Sequence, residues 1–166
     1  MGAATLCAVT VSVRLAPMTA DEYDAYRVVA ERDYADEIAR SGAMPEVEAS
    51  AKASADYARL LPQGLGTPAH LLWTAWDGPD PVGLVWVELS ERSDGPSAFV
   101  YDVQVAEELR GRGYGRAVML AAEEACRERG VTSVRLNVFG SNHVARSLYE
   151  RLGFETTSVQ MRKNLA

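Results

Sequence analysis

The run Arg110-Gly111-Arg112-Gly113-Tyr114-Gly115 concentrates what a polypeptide needs to hold an anion. Alternate glycines leave no Cβ between the backbone amides and a ligand. A β-branched and aromatic stretch (Phe99, Val100, Tyr101, Val103, Val105) leads into the run, and an amphipathic segment follows at once. A helix starting there aims unpaired N–H groups and its positive dipole end back at the loop. Strand, loop and helix start together form a cradle suited to a pyrophosphate. The dinucleotide fingerprint fails, because its third glycine would fall on Arg116, and no Gly-Lys-Ser/Thr of a P-loop occurs anywhere. Arg-x-x-Gly-x-Gly remains, as Arg110, Gly113 and Gly115. A ligand-free strand-to-helix turn would use the same glycines.

Asp102 interrupts the apolar strand that delivers this loop, on the side that strict alternation shares with Val100 and Gln104. A carboxylate there is costly unless paired or solvated, which makes it a candidate for proton transfer. An ion pair or a cap at a strand edge accounts for it equally well, and Glu88 on the preceding strand is a second candidate base. His70 and His143 are the only histidines, far apart and without ligand-spaced Cys or carboxylates, so no metal is expected. Cys126 falls on the apolar side of a helical segment and reads as a small core residue. Trp73, Trp76 and Trp86 read as strand packing.

These residues must be positioned by a regular alternation of elements. Val9 to Leu15 alternates as a strand. Thr19 can cap a helix with Asp21 and Glu22 in its first turn, running to about Arg40 and stopping at Ser41-Gly42. A second helix begins near Pro45 and ends before Pro62. His70–Trp76 and Val82–Leu89 form a hairpin across Asp77-Gly78-Pro79-Asp80. The strand ending at Val105, the glycine loop and a helix from Tyr114 to about Arg129 come next. Val131–Phe139 is a fifth strand, Ser141 or Asn142 caps a fourth helix ended by Gly153, and Phe154–Met161 returns as a last strand. Residues 1–8 are expected to fray, leaving one domain over 9–163.

The composition narrows the partners. A chain of 166 residues carrying 17 Lys and Arg against 23 Asp and Glu, net −6, lacks the basic footprint of a nucleic-acid binder. No apolar run reaches the length of a spanning helix, so no membrane partner is expected. Two cysteines, Cys7 and Cys126, make no disulfide framework, and a reducing cytoplasm is the natural setting.

The block from Asn142 to Phe154 (NHVARSLYERLGF) is similar to N-x-x-A-x-x-L-Y-x-x-x-G-F. With Arg-x-x-Gly-x-Gly upstream, one helix and one strand away, the chain resembles the GCN5-related N-acetyltransferase (GNAT) family from Phe99 to about Met161. Before residue 70 only the order of elements agrees.

The resemblance implies a single α/β (α+β) domain, a mixed and mostly antiparallel sheet of about six to seven strands flanked by about four helices. It implies acetyl-CoA as cosubstrate, its pantetheine arm hydrogen-bonded along Val103, Gln104 and Val105 where that strand splays from Leu136–Val138. Amides of Arg110, Gly111, Arg112, Gly113, Tyr114, Gly115 and Arg116 would hold the pyrophosphate, and Asn142 the pantetheine. Tyr149 matches the family's general acid, although its spacing from Ala145 and Leu152 also suits a core aromatic. Asp102 would be the base. The implied reaction is direct attack of a primary amine, small-molecule or peptide, on the thioester in a ternary complex, since no residue reads as a covalent nucleophile. A non-catalytic acyl-CoA-binding regulatory module is the alternative. Homodimers are common in the family. The acceptor stays open among a protein N-terminus, a lysine side chain, a polyamine, an amino acid and an antibiotic amine.

Overall fold

The computed structural model of the protein describes residues 11–42, 44–163 and 165. The expected frayed N-terminus, Cys7 and the first residues of the predicted first strand lie outside this set. β1 (Arg14–Pro17) leads into α1 (Ala20–Arg40) and α2 (Glu46–Leu60). Three long strands follow, β2 (His70–Asp77), β3 (Asp80–Arg92) and β4 (Gly95–Val105). α3 (Tyr114–Arg127), β5 (Ser133–Leu136) and α4 (His143–Arg151) complete the order. The sheet runs β1-β2-β3-β4-β5, antiparallel through β4, with β5 added parallel to β4.

Local chemistry sets the element ends. Thr19 caps α1 in a capping box: its Oγ1 accepts from Glu22 N and its own N–H donates to Glu22 Oε2 at 2.7 Å. The other Glu22 oxygen accepts from Thr74 Oγ1 at 3.0 Å, which ties the start of α1 to β2. Alternate residues of β3 feed two cores. Val85 and Val87 pack with Val100, Val118, Met119 and Tyr149 on the α3–α4 side. Trp86 packs with Tyr26, Tyr57, Leu61 and Leu72 under α1 and α2. Cys126 is buried in the first of these cores.

Five strands form among the described residues, fewer than the six to seven expected. The segment Phe154–Met161 makes no strand; Val159 is 72% and Met161 89% exposed. One side carries Phe154 followed by Thr156, Ser158 and Gln160, and the other Glu155 and Thr157 before Val159 and Met161, so neither offers a continuous apolar stripe to dock against the sheet. The predicted strand 131–139 shortens to β5, for a reason that lies in β4.

That reason is a β-bulge. Trp86 pairs with Asp102 while Val87 pairs with Val100, so Tyr101 is an extra residue in β4. Val100 stays in the α3-side core, whereas Tyr101 stacks on Trp86, ring centroids 4.6 Å apart, and Asp102 meets α1. The expectation that Asp102 shares a side with Val100 is therefore corrected: the bulge breaks the alternation and turns two consecutive residues toward α1 and α2.

Candidate active site

β4 and β5 pair from Ser97↔Ser133 only to Val100↔Leu136. Beyond that point β4 bends at the bulge and Asp102–Val105 pairs with β3 alone. The two strands thus part where Val103, Gln104 and Val105 face the continuation of β5, and one backbone edge of β4 has no strand beside it. Gln104 turns its side chain elsewhere: its Nε2 donates to Asp102 Oδ2 at 2.9 Å.

The glycine loop closes the far end of β4. Gly111 (φ 75°) and Gly113 (φ 94°) hold left-handed backbone that glycine alone adopts freely. A Cβ at Gly111 would meet nothing within 4 Å, so the loop is open above it. Gly113 is the N-cap of α3 and offers no side-chain cap, and the first intrahelical donor is Ala117, to Gly113 O. The amides of Tyr114, Gly115 and Arg116 therefore stand at the helix start without intrahelical partners. Arg110 Nε donates to Val105 O at 3.3 Å, and Tyr114 Oη donates to Asp77 Oδ2 at 2.6 Å, which turns that ring toward the β2–β3 hairpin. Arg112 and Arg116 are exposed. Gly115 lets α3 approach α4, since its Cβ would sit 3.2 Å from Leu148 Cδ2.

α4 is fixed by Asn142, whose Oδ1 accepts from Ala145 N at 3.1 Å. The helix carries Tyr149 inward, 9% exposed, with its ring 5.7 Å from that of Phe154. Burial first, and then the negative charges of Asp102 and Glu37, push the Tyr149 phenol up to about 12. Asp102 is pushed up to about 6 by burial, against the opposing hydrogen bonds from Tyr26 and Gln104. Tyr26 Oη donates to Asp102 Oδ2 at 3.0 Å and lies 3.4 Å from Tyr57 Oη. A cleft of about 510 Å³ lies between the end of α1 and the start of α4, lined by Glu37, Arg40, Phe139, Ser141 and Asn142.

Glu88, the second candidate base, sits in a different network. It accepts from Tyr101 Oη at 2.9 Å and faces His70 Nε2 at 3.9 Å, while His70 Nδ1 accepts from Trp86 Nε1 at 2.9 Å. Burial lowers the pKa of His70, against the opposing charge of Glu88. His143 is exposed at the start of α4. Among the described residues no group of three or more His, Cys, Asp or Glu is placed to hold a metal ion, and no helix is long and apolar enough to cross a membrane.

Three residues at this site escaped the sequence reading: Tyr26 and Glu37 on α1 and Tyr57 on α2. Tyr26 and Tyr57 carry the ordinary signature of buried helical faces. Glu37 sits in a helix dense with charge, where one more carboxylate reads as solvated.

The structure that places a parted β4–β5 pair beside a glycine loop also defines the family. Residues 25–154 match the acetyltransferase (GNAT) family model, and the chain belongs to that family. It is 34% identical over 155 residues to YycN of Bacillus subtilis (strain 168), described as an uncharacterized N-acetyltransferase, spanning 93% of this chain and 99% of YycN. The crystal structure of YycN superposes with a TM-score of 0.89 over the same shares of the two chains. YdgE of the same organism, also described as an uncharacterized N-acetyltransferase, is 30% identical over 91% of this chain and 97% of its own. A mycothiol acetyltransferase of Thermobispora bispora is 42% identical over 83 residues, 48% of this chain and 28% of that protein.

Proposed function

We propose that this protein transfers the acetyl group of acetyl-CoA to a primary amine by direct attack, with Tyr149 as general acid and Asp102 as general base. The observation that carries the reading is a buried phenol, Tyr149, within reach of the charge of Asp102, a carboxylate that stands just past the last β4–β5 pair. The residues present suit acetyl-CoA: a free β4 edge for an extended arm, then left-handed glycines and a helix start for phosphates. Val103 and Val105 would bond the pantetheine through their backbone and Asn142 through its amide N–H groups. The loop from Arg110 to Arg116 would hold the pyrophosphate. Bound there, acetyl-CoA supplies an activated acyl carbon and a thiolate leaving group.

Proton bookkeeping assigns the side chains. An alkylammonium acceptor must lose one proton before its nitrogen can attack, and a second leaves as the amide forms. Asp102 takes the first when ionised, and the elevated pKa makes it a better acceptor than an ordinary carboxylate at neutral pH. As the C–N bond forms and the C–S bond breaks, Tyr149 gives its proton to sulfur and regains one from the nitrogen or solvent. The sum is acyl amine, free CoA thiol and one proton released.

The test pairs binding with turnover. Saturating acetyl-CoA or CoA, at 100 times Kd, adds about 2.7 kcal/mol to stability. Tyr149→Phe should keep that shift while kcat on an acceptor amine falls about 100-fold or more. Absence of a thermal shift with either CoA species, or equal turnover by Tyr149→Phe, overturns the proposal.

A further inference from the structure

The cleft at the end of α1 carries two opposite charges on one helix, and neither makes a hydrogen bond or ion pair among the described residues. Glu37 and Arg40 both line it, from the last turns of α1. Neither side chain has a hydrogen-bond or ion-pair partner among the described residues, and the two do not bond each other. Side chains three residues apart on a helix stand about 5–6 Å apart at Cβ and pair readily. Here they form no ion pair; burial raises the pKa of Glu37, the Arg40 charge opposes that rise and Asp33 adds to it, and both side chains line a space that a small molecule can enter. Phe139 and Ser141 close the other wall, and Asn142 places this wall at the start of the helix that carries Tyr149.

We infer that the acceptor is a free α-amino acid, its ammonium held by Glu37 and its carboxylate by Arg40. This rests on the acetyltransfer reading above and narrows its acceptor. A compact zwitterion has its two charges within a few ångströms, which suits one carboxylate and one guanidinium on adjacent turns. The guanidinium offers parallel N–H donors to a carboxylate. Glu37 lies close enough to Asp102 and Tyr149 for its charge to act on both. An ammonium drawn to Glu37 is thereby brought into the range over which Glu37 acts on the base and the acid. A polyamine or a lysine side chain would use Glu37 but leave Arg40 facing a second cation or nothing.

The experiment compares matched acceptors at saturating acetyl-CoA: L-phenylalanine, L-phenylalaninamide and 2-phenylethylamine, with the same trio built on L-leucine, L-methionine and L-lysine. The free acids are expected to exceed their amides and decarboxylated amines in kcat/KM by about ten- to a hundredfold, the worth of one charge-assisted contact. Arg40→Glu should abolish or invert that preference. Arg40 is exposed, and an unchanged acetyl-CoA thermal shift checks that the variant is folded. Glu37→Gln should raise KM for acids and amides alike. Amides and simple amines acetylated as fast as the acids, or an Arg40→Glu enzyme with the parental preference, overturn the inference while leaving acetyl transfer intact. Failure of acetyl-CoA itself to bind overturns both.

Discussion

Replacing Asp102 by Asn should make this protein more stable at neutral pH and inactive. The folded carboxyl holds its proton more tightly than an unfolded one, because burial lifts its pKa from 3.8 to about 6. Ionising it therefore costs the folded state, and the wild-type protein loses stability as pH rises through that interval. The interval from 3.8 to about 6 corresponds to about 3 kcal/mol once both states are ionised. Asn has no proton to lose and no such slope. It keeps an oxygen for Tyr26, whose Oη now donates at 3.0 Å, so the network need not collapse. Urea denaturation of both proteins between pH 4 and pH 7.5 measures the effect. The stability of Asp102→Asn relative to wild type should rise with pH by about 1–3 kcal/mol, with most of the change between the unfolded value of 3.8 and the folded value of about 6. Other carboxylates cancel in the difference. A difference that stays flat across that range, or falls, would show Asp102 titrating as an ordinary carboxylate and would remove the physical basis for its role as base.

Two glycines give further tests. A Cβ at Gly83 would sit 2.2 Å from Gln104 O, backbone against backbone. Gly83→Ala should cost about 1–3 kcal/mol or more, seen as a lower Tm, and should impair turnover by displacing the Gln104 donor to Asp102; an unchanged Tm refutes the contact. At Gly113 the obstacle is conformational, since φ is 94° while its Cβ would only touch Val11 Cγ2 at 3.9 Å. Gly113→Ala should cost about 1–2 kcal/mol and weaken acetyl-CoA binding several-fold by calorimetry, whereas parental affinity would free the loop from the ligand.

Much of the fold was legible because single residues mark element ends. Thr19 with Glu22, Gly113 and Asn142 each announce a helix start by chemistry that acts within one turn. The hairpin announces itself through Gly78 and its neighbours. What stayed hidden depends on contacts distant in sequence. A bulge adds one residue without altering composition, so alternation through Tyr101 and Asp102 reads as regular and puts Asp102 on the same side as Val100. Asp102 was still recognisable as costly, because the expense of a carboxylate in an apolar strand is local. Its donors were not, since Tyr26 lies 76 positions away. Glu37 was invisible for the opposite reason: on a charged helix nothing local separates it from its solvated neighbours. The last predicted strand failed because alternation shows which way side chains would face, never whether an edge waits to receive them.

The extra residue in β4 also carries a lesson about length. Without Tyr101, Val100 opposite Val87 and Asp102 opposite Trp86 would already be in regular register. The ladder to β3 gains nothing from the added residue; what it alters is the course of β4, which leaves β5 at the preceding position. The opening into which acetyl-CoA is proposed to fit is thus encoded by a count and not by a residue type. Related chains could change every side chain between Phe99 and Val105 and keep the opening, or lose one residue there and close it. Gaps in an alignment of this strand would carry more functional information than its substitutions.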